Sequence, residues 1–256
     1  MQNITIIKVG GAIVEDNDRL NDLLDRFAGL DGPKVLVHGG GRRATKVASA
    51  LGIETKMVDG RRVTDADMLE VVTMVYGGLV NKNIVARLQA RGVNALGLTG
   101  ADMNVMLSHR RPPRNGVDYG FVGDIDQADG QALASLLERG VIPVMAPLTH
   151  DGKGLLLNTN ADTIAAETAK ALTPFFDVTL VYCFEKAGVL ANPEDDGSVI
   201  PVITKDDFAT LTANGTISGG MKPKIENALA AVAKGVRRVI ITKAEALGSN
   251  GGTTIE

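Results

Sequence analysis

A lysine sits in the middle of "IIKVGGAIVED", residues 6 to 16, and two glycines follow it. A core strand such as Ile4-Thr5-Ile6-Ile7 would normally avoid a charge like Lys8. Gly10 and Gly11 let backbone N–H groups approach a ligand closely, and a lysine beside them suggests an anion. The pattern returns at "VLVHGGGRRA", where Gly39-Gly40-Gly41 follow a second apolar run. A third glycine pair, Gly219-Gly220, precedes Lys222 and Lys224 around Pro223 in "ISGGMKPKIENALAAVAKG". Pro223 suits a first helical turn, whereas lysines there oppose the positive end of the helix dipole. A cation placed against that preference implies an anion between it and the helix. Lys222 reads as solvated, and Lys224, nearer the apolar face, is the stronger candidate. In "GRRVTDADMLE", Arg61 and Arg62 precede Thr64 and Asp65, which suit a helix cap. Arginine offers a planar fork that matches a carboxylate, and Arg62, flanked by Val63, is the better held of the two. In "NTNAD", Asn158, Asn160 and Asp162 alternate. Asn160 suits an N-cap and Asp162 a first-turn acid, yet the three can equally point into a site.

The elements that must position these groups alternate. Strand-like runs occur at 4–7, 35–37, 95–98, 141–148, 177–183 and 237–242, and helical spacing at 17–30, 42–51, 66–90, 129–138, 161–171, 205–213 and 223–234. Gly52, Gly92, Gly140 and Gly235 stand where helices should stop. Such alternation predicts a largely parallel sheet covered by helices on both faces. Ligands then lie outside the carboxyl ends of strands, where the glycine turns fall, although tight strand-to-helix turns alone would use glycine too. "SHRRPPRNGVDYGFVGDI" interrupts the alternation and reads as an antiparallel flap. Thr173-Pro174 offers a break between a larger lobe, 1–172, and a smaller one, 173–256.

There is no G-x-x-x-x-G-K-[ST] and no G-x-G-x-x-G with a suitably spaced acid, so P-loop and dinucleotide sites are unsupported. The 256 residues carry a formal net charge of -3, which gives no general attraction for nucleic acid or an anionic membrane, so an anion site must be local. Aromatics make up only 4%, which disfavours base stacking. Cys183 is the lone cysteine and the three histidines are scattered, so neither a disulfide framework nor a structural metal is expected. No apolar run reaches the ~20 residues of a membrane span. A strand begins almost at the N-terminus, and a cytoplasmic protein is the expectation.

These segments, in order, together with the closing "GGTTIE", resemble the amino acid kinase family, and within it the acylglutamate branch. The resemblance implies an α/β fold, an open three-layer α-β-α sandwich with a mainly parallel central sheet. It also implies phosphorylation of the γ-carboxylate of an N-acyl-L-glutamate by ATP, with Mg2+ carried by the nucleotide, in arginine biosynthesis. The acylglutamate would bind in the first lobe and ATP in the second. By motif, Lys8 and Lys224 would stabilise the transferring phosphoryl group, with Asp162 orienting both lysines and Gly11 and Gly41 donating backbone N–H groups. Gly40, Gly41, Arg62, Asn158 and Asn160 would contact the acylglutamate, Arg62 taking its α-carboxylate. Glu185, Gly188, Ser218, Gly220 and Met221 would lie along the nucleotide. Two departures stand out. Phe184-Glu185 replace a usual Thr/Ser-Asp pair, which loosens the assignment of adenine contacts. The flap is rich in His109, Arg110, Arg111 and Arg114, which read as surface charge or, alternatively, as readers of an extra carboxylate on the acyl group, favouring N-succinyl-L-glutamate. The chain also lacks, ahead of its first strand, the additional helix of arginine-regulated hexamers, which implies a homodimer without arginine feedback. A non-catalytic nucleotide-binding member of the same fold is the remaining alternative.

Overall fold

A computed structural model describes residues 1–58, 60–192, 194–217, 221–249 and 251–256. From the N-terminus run β1 (Asn3–Val9), α1 (Gly11–Glu15), α2 (Asn17–Ala28), β2 (Lys34–His38) and α3 (Gly41–Ala50). The short ribbon β3 (Met57–Val58) and β4 (Arg61–Arg62) leads into α4 (Ala66–Val72), a π-helical segment Thr73–Val80 and α5 (Asn81–Gln89). Then come β5 (Ala95–Leu98), β6 (Met106–Arg110), β7 (Gly123–Ala128), α6 (Gly130–Glu138), β8 (Ile142–Met145), β9 (Leu148–His150), β10 (Leu156–Asn158) and α7 (Ala161–Leu172). The last third holds β11 (Asp177–Phe184), β12 (Val202–Ile203), α8 (Lys205–Ala213), α9 (Met221–Val232), β13 (Arg238–Lys243) and β14 (Thr253–Ile255).

Eight strands form the central sheet in the order β12-β14-β13-β11-β1-β2-β8-β5. Among the described residues only β13 and β14 pair antiparallel within it. Strand side chains alternate faces, and the core divides accordingly. Ile4, Ile6, Val35 and Leu180 pack with α6, α7 and α9 on one face, while Ile7, Val9, Leu36 and Val181 pack with α2 to α5 on the other. This is the three-layer α-β-α sandwich the sequence implies.

Local chemistry fixes the ends of the elements. Asp16 caps α2, Asp65 caps α4 and Asn160 caps α7, each accepting from backbone N–H groups of the first turn. Gly52, Gly92, Gly140 and Gly235 adopt φ between 71° and 97°, the left-handed conformation that ends helices.

Two expectations need correction. The apolar run 141–148 is not one strand, because it breaks at Pro147, which has no N–H for a ladder. Its far side becomes β9 of a second, four-stranded sheet, β10-β9-β6-β7, which contains the expected flap hairpin β6–β7. The helix over 66–90 is continuous in space but widens to π geometry at Thr73–Val80. Among the described residues no helix is long and apolar enough to cross a membrane.

Candidate active site

The two glycine turns leave the carboxyl ends of adjacent parallel strands, where Val9 and His38 are in register. They abut directly. A Cβ added at Gly39 would lie 3.1 Å from the Gly11 nitrogen, and one at Gly11 would lie 3.7 Å from the nitrogens of Gly40 and Gly41. Gly40 is also backed by the Tyr76 ring, 2.8 Å from where a Cβ would sit. Backbone N–H groups of both turns thus collect at one sheet edge, at the start of the ten-residue helix α3, an arrangement suited to anions.

Beneath the second turn lies a polar anchor that the sequence reading did not single out. His38 is fully buried, and burial pushes its pKa down to about 4, so the ring is neutral. Its Nδ1 lies 2.8 Å from the Gly39 carbonyl, which can only accept, so the proton sits on Nδ1 and Nε2 accepts from the Asn81 amide at 3.1 Å. Asn81 also donates to the Val144 carbonyl, and Lys82 donates to the Asn81 oxygen. This chain ties the turn to the neighbouring strand.

Lys8 shares the face of Ile4 and Ile6 and is only 7% exposed, so it needs a partner. That partner is Asp162, in the first turn of α7, whose carboxylate lies 2.7 Å from the Lys8 ammonium. Lys224, in α9, arrives from the other side of the same cleft, its Nζ 3.7 Å from the centroid of the Phe184 ring; Lys8 Nζ is 5.1 Å from that centroid. Desolvation lowers the Lys224 pKa, with Asp162 opposing that shift and Lys8 adding to it. Lys222, by contrast, is exposed. The two expected lysines and the expected acid therefore converge.

Beside them opens a cavity of about 200 Å³ lined by the 39–41 turn, Arg62, Tyr76, Arg111 and Asn158. Arg62 is 9% exposed and its guanidinium meets neutral oxygens: the Gly41 carbonyl and Thr45 Oγ1, both at 2.9 Å, and Thr55 Oγ1 at 3.3 Å. Among the described residues no Asp or Glu forms an ion pair with it. Asn158 donates to Thr64 Oγ1 at 2.9 Å. Asn160 borders the cavity, but its side-chain oxygen accepts from the N–H groups of Asp162 and Thr163, the capping alternative. Tyr76 was missed, because its contact with Gly40 depends on the π segment.

The remaining expected residues are more dispersed. Glu185 is exposed on the turn after β11. Gly188 is buried, and a Cβ there would lie 2.7 Å from Thr253 Oγ1, so packing alone requires glycine. Met221 opens α9, while Ser218 and Gly220 lie outside the described residues. On the flap, His109 pairs with Asp126, Arg110 with Asp118 and Arg111 with Asp124. Of the four basic flap residues only Arg111 lines the cavity. Among the described residues no three His, Cys, Asp or Glu side chains gather as a metal site.

Known proteins resemble this chain in sequence and fold. The chain is 64% identical over 255 residues to an acetylglutamate kinase of Bacteroides thetaiotaomicron, covering 100% of this chain and 99% of that protein. A solved structure from Streptococcus mutans superposes with a TM-score of 0.76 at 30% identity, covering 98% of both chains. N-acetylglutamate synthase from Neisseria gonorrhoeae shares the fold, with a TM-score of 0.82 at 24% identity over 99% of this chain and 59% of that one. The sequence profile of the amino acid kinase family spans residues 3–243, and the chain belongs to the amino acid kinase family.

Proposed function

We propose that the chain transfers the γ-phosphoryl group of ATP to the side-chain carboxylate of N-acetyl-L-glutamate, forming an acyl phosphate on the route to arginine. The observation that carries this reading is the convergence of Lys8, Lys224 and Asp162 on one cleft beside a buried arginine that has no acid partner among the described residues. Relatives 60% to 64% identical over the full length bear the name acetylglutamate kinase.

The acceptor carboxylate is ionised near neutral pH, so no general base is required. A carboxylate oxygen attacks the γ-phosphorus as the bond to the bridging oxygen breaks and ADP departs. The difficulty is electrostatic, because donor and acceptor repel, and catalysis rests on alignment and compensation of charge. Lys8 and Lys224 supply that compensation, Asp162 fixes Lys8, and the N–H groups of Gly11 and Gly41 face the phosphoryl oxygens. Arg62, which meets only neutral oxygens and a sulfur among the described residues, takes the α-carboxylate, and Asn158 and the 39–41 turn frame the acyl-amino group. ATP lies over the 173–256 lobe. Its phosphates would carry the magnesium, which would supply further positive charge beside that of Lys8 and Lys224. The test is ATP consumption with N-acetyl-L-glutamate while hydroxylamine traps the acyl phosphate. Hydroxamate should appear only when both substrates are present. No ATP consumption with any acylglutamate would leave a nucleotide-binding module instead.

One observation favours a second reading of the acyl group. Arg111 lines the same cavity as Arg62, which would suit an acyl chain ending in a carboxylate, as in N-succinyl-L-glutamate. Asp124 already pairs with Arg111, which speaks for the acetyl substrate. Side-by-side kcat/KM values decide between them.

A further inference from the structure

We infer that Phe184 is a positioning residue for the phosphoryl-transfer lysines, holding Lys224 in the cleft by the face of its ring. The inference rests on the phosphoryl-transfer reading above. Two ammonium groups in one cleft repel, and the acid that faces them, Asp162, is engaged with Lys8 at 2.7 Å. Among the described residues Lys224 forms no ion pair with an acid. Its Nζ instead lies 3.7 Å from the Phe184 centroid, well within the range in which the negative face of an aromatic ring attracts a cation.

The ring is itself fixed from two directions. Phe184 ends the strand β11, which is in register with β13 up to Lys243. Its ring stacks on that of Tyr182 at 6.0 Å between centroids and 13° between planes. The Tyr182 hydroxyl in turn donates to the Asp162 carbonyl at 3.3 Å. One ladder, Tyr182 and Phe184, therefore links the helix that carries Asp162 to the lysine of α9.

The choice of a ring has a chemical consequence. A carboxylate partner would hold Lys224 by neutralising it, and the cation would then have less to offer an incoming phosphoryl group. An aromatic face holds the ammonium while leaving its full charge available, and it keeps water from that side. Where the family resemblance leads one to expect a Thr/Ser-Asp pair, this chain has Phe184-Glu185, and it is the Phe184 ring that meets Lys224.

The test compares Phe184→Met, which keeps apolar bulk without a ring, with Phe184→Tyr, which keeps the ring, in the full chain with ATP and N-acetyl-L-glutamate. Wild-type hydroxamate formation first decides the underlying reading, independently of the variants. Phe184→Met should then lose roughly tenfold in kcat (~1.4 kcal/mol) with the KM for the acylglutamate changed less than about twofold, while Phe184→Tyr stays within about threefold of wild type. A kcat unchanged in Phe184→Met, or equal losses in both variants, would overturn the proposal. A second measurement does not depend on catalysis. In the wild-type chain, the ε-methylene protons of Lys224, identified by their disappearance in Lys224→Arg, should resonate upfield under the ring current of Phe184. Finding them at ordinary lysine positions would equally overturn it.

Discussion

A buried ammonium is tolerated only where something compensates it, and Lys8 has both a carboxylate at 2.7 Å and an aromatic face nearby. Removing either lysine removes an interaction expected to strengthen as charge develops in transfer. Lys8→Ala or Lys224→Ala should therefore each cost on the order of 3 kcal/mol in barrier, roughly a hundredfold in turnover, as checked by steady-state kinetics. The circular dichroism spectrum should be unchanged in both. Near wild-type turnover in either would remove that lysine from the mechanism. Gly40 makes a different demand. Its φ of 176° is ordinary extended backbone, so the requirement for glycine is steric and comes from the Tyr76 ring, 2.8 Å from where a Cβ would sit. Gly40→Ala should destabilise the chain by about 1–3 kcal/mol through overpacking, seen as a lower melting temperature. Combining it with Tyr76→Leu should recover part of that loss. A melting temperature unaffected by Gly40→Ala would mean that the Tyr76 ring moves aside freely.

At the level of elements, the flap hairpin β6–β7 carries its own pH dependence. The Arg111 guanidinium hydrogen-bonds Asp124 and holds its carboxyl below the usual range, with burial pulling the other way. A carboxyl whose folded pKa is depressed stabilises the fold above its unfolded pKa, and the contribution is lost as pH falls through the folded value. Amide protection across β6–β7 should accordingly decline as the solution is acidified below the ordinary carboxylate range, ahead of the central sheet. Asp124→Asn should show the same decline already at pH 7, and equal protection in that variant would show that other contacts hold the hairpin. Much at this scale was legible in the sequence. The alternation of apolar runs, the stops at Gly52, Gly92, Gly140 and Gly235, and the caps Asp65 and Asn160 are local signals with local causes. The π segment was not legible, since one widened turn leaves the apolar spacing of 66–90 intact, and Tyr76 was lost with it. Nor was the seating of Lys224 on Phe184. That contact depends on the strand order β13-β11-β1, which brings distant stretches together and leaves no trace in the spacing of either. Lys8 stood out because its charge is locally out of place, whereas Asp162, an ordinary first-turn acid, stood out only through the alternation in "NTNAD" and the family resemblance.

For the molecule as a whole, the lone cysteine offers a reporter of how the central sheet and the two substrates depend on each other. Cys183 lies in β11, in register with Val9 on one side and Thr242 on the other, and is fully buried. Burial pushes its thiol pKa up to about 12, although Lys8 pulls it down, so the native thiol is neutral at pH 7 as well as inaccessible. A disulfide reagent needs the thiolate and a path to it, so labelling requires the sheet to open between β1 and β11 or between β11 and β13. Those pairings join the cavity beside Arg62 to the cleft that receives Lys224, and separating them dismantles both. Opening should therefore be close to global, and labelling should track the unfolded fraction when reclosing is fast. Ligands that bind only the closed form suppress that fraction by 1 + [L]/Kd. If the proposed function holds, N-acetyl-L-glutamate and MgADP should each bind without turnover and slow labelling, by roughly a hundredfold at a hundred times Kd. Lys224→Ala should weaken the protection from MgADP and leave that from the acylglutamate in place, because Arg62 and Asn158 remain. Rapid labelling that neither ligand slows would mean that β11 can leave the sheet without disturbing the cleft, and the shared scaffold assumed for both substrates would not exist.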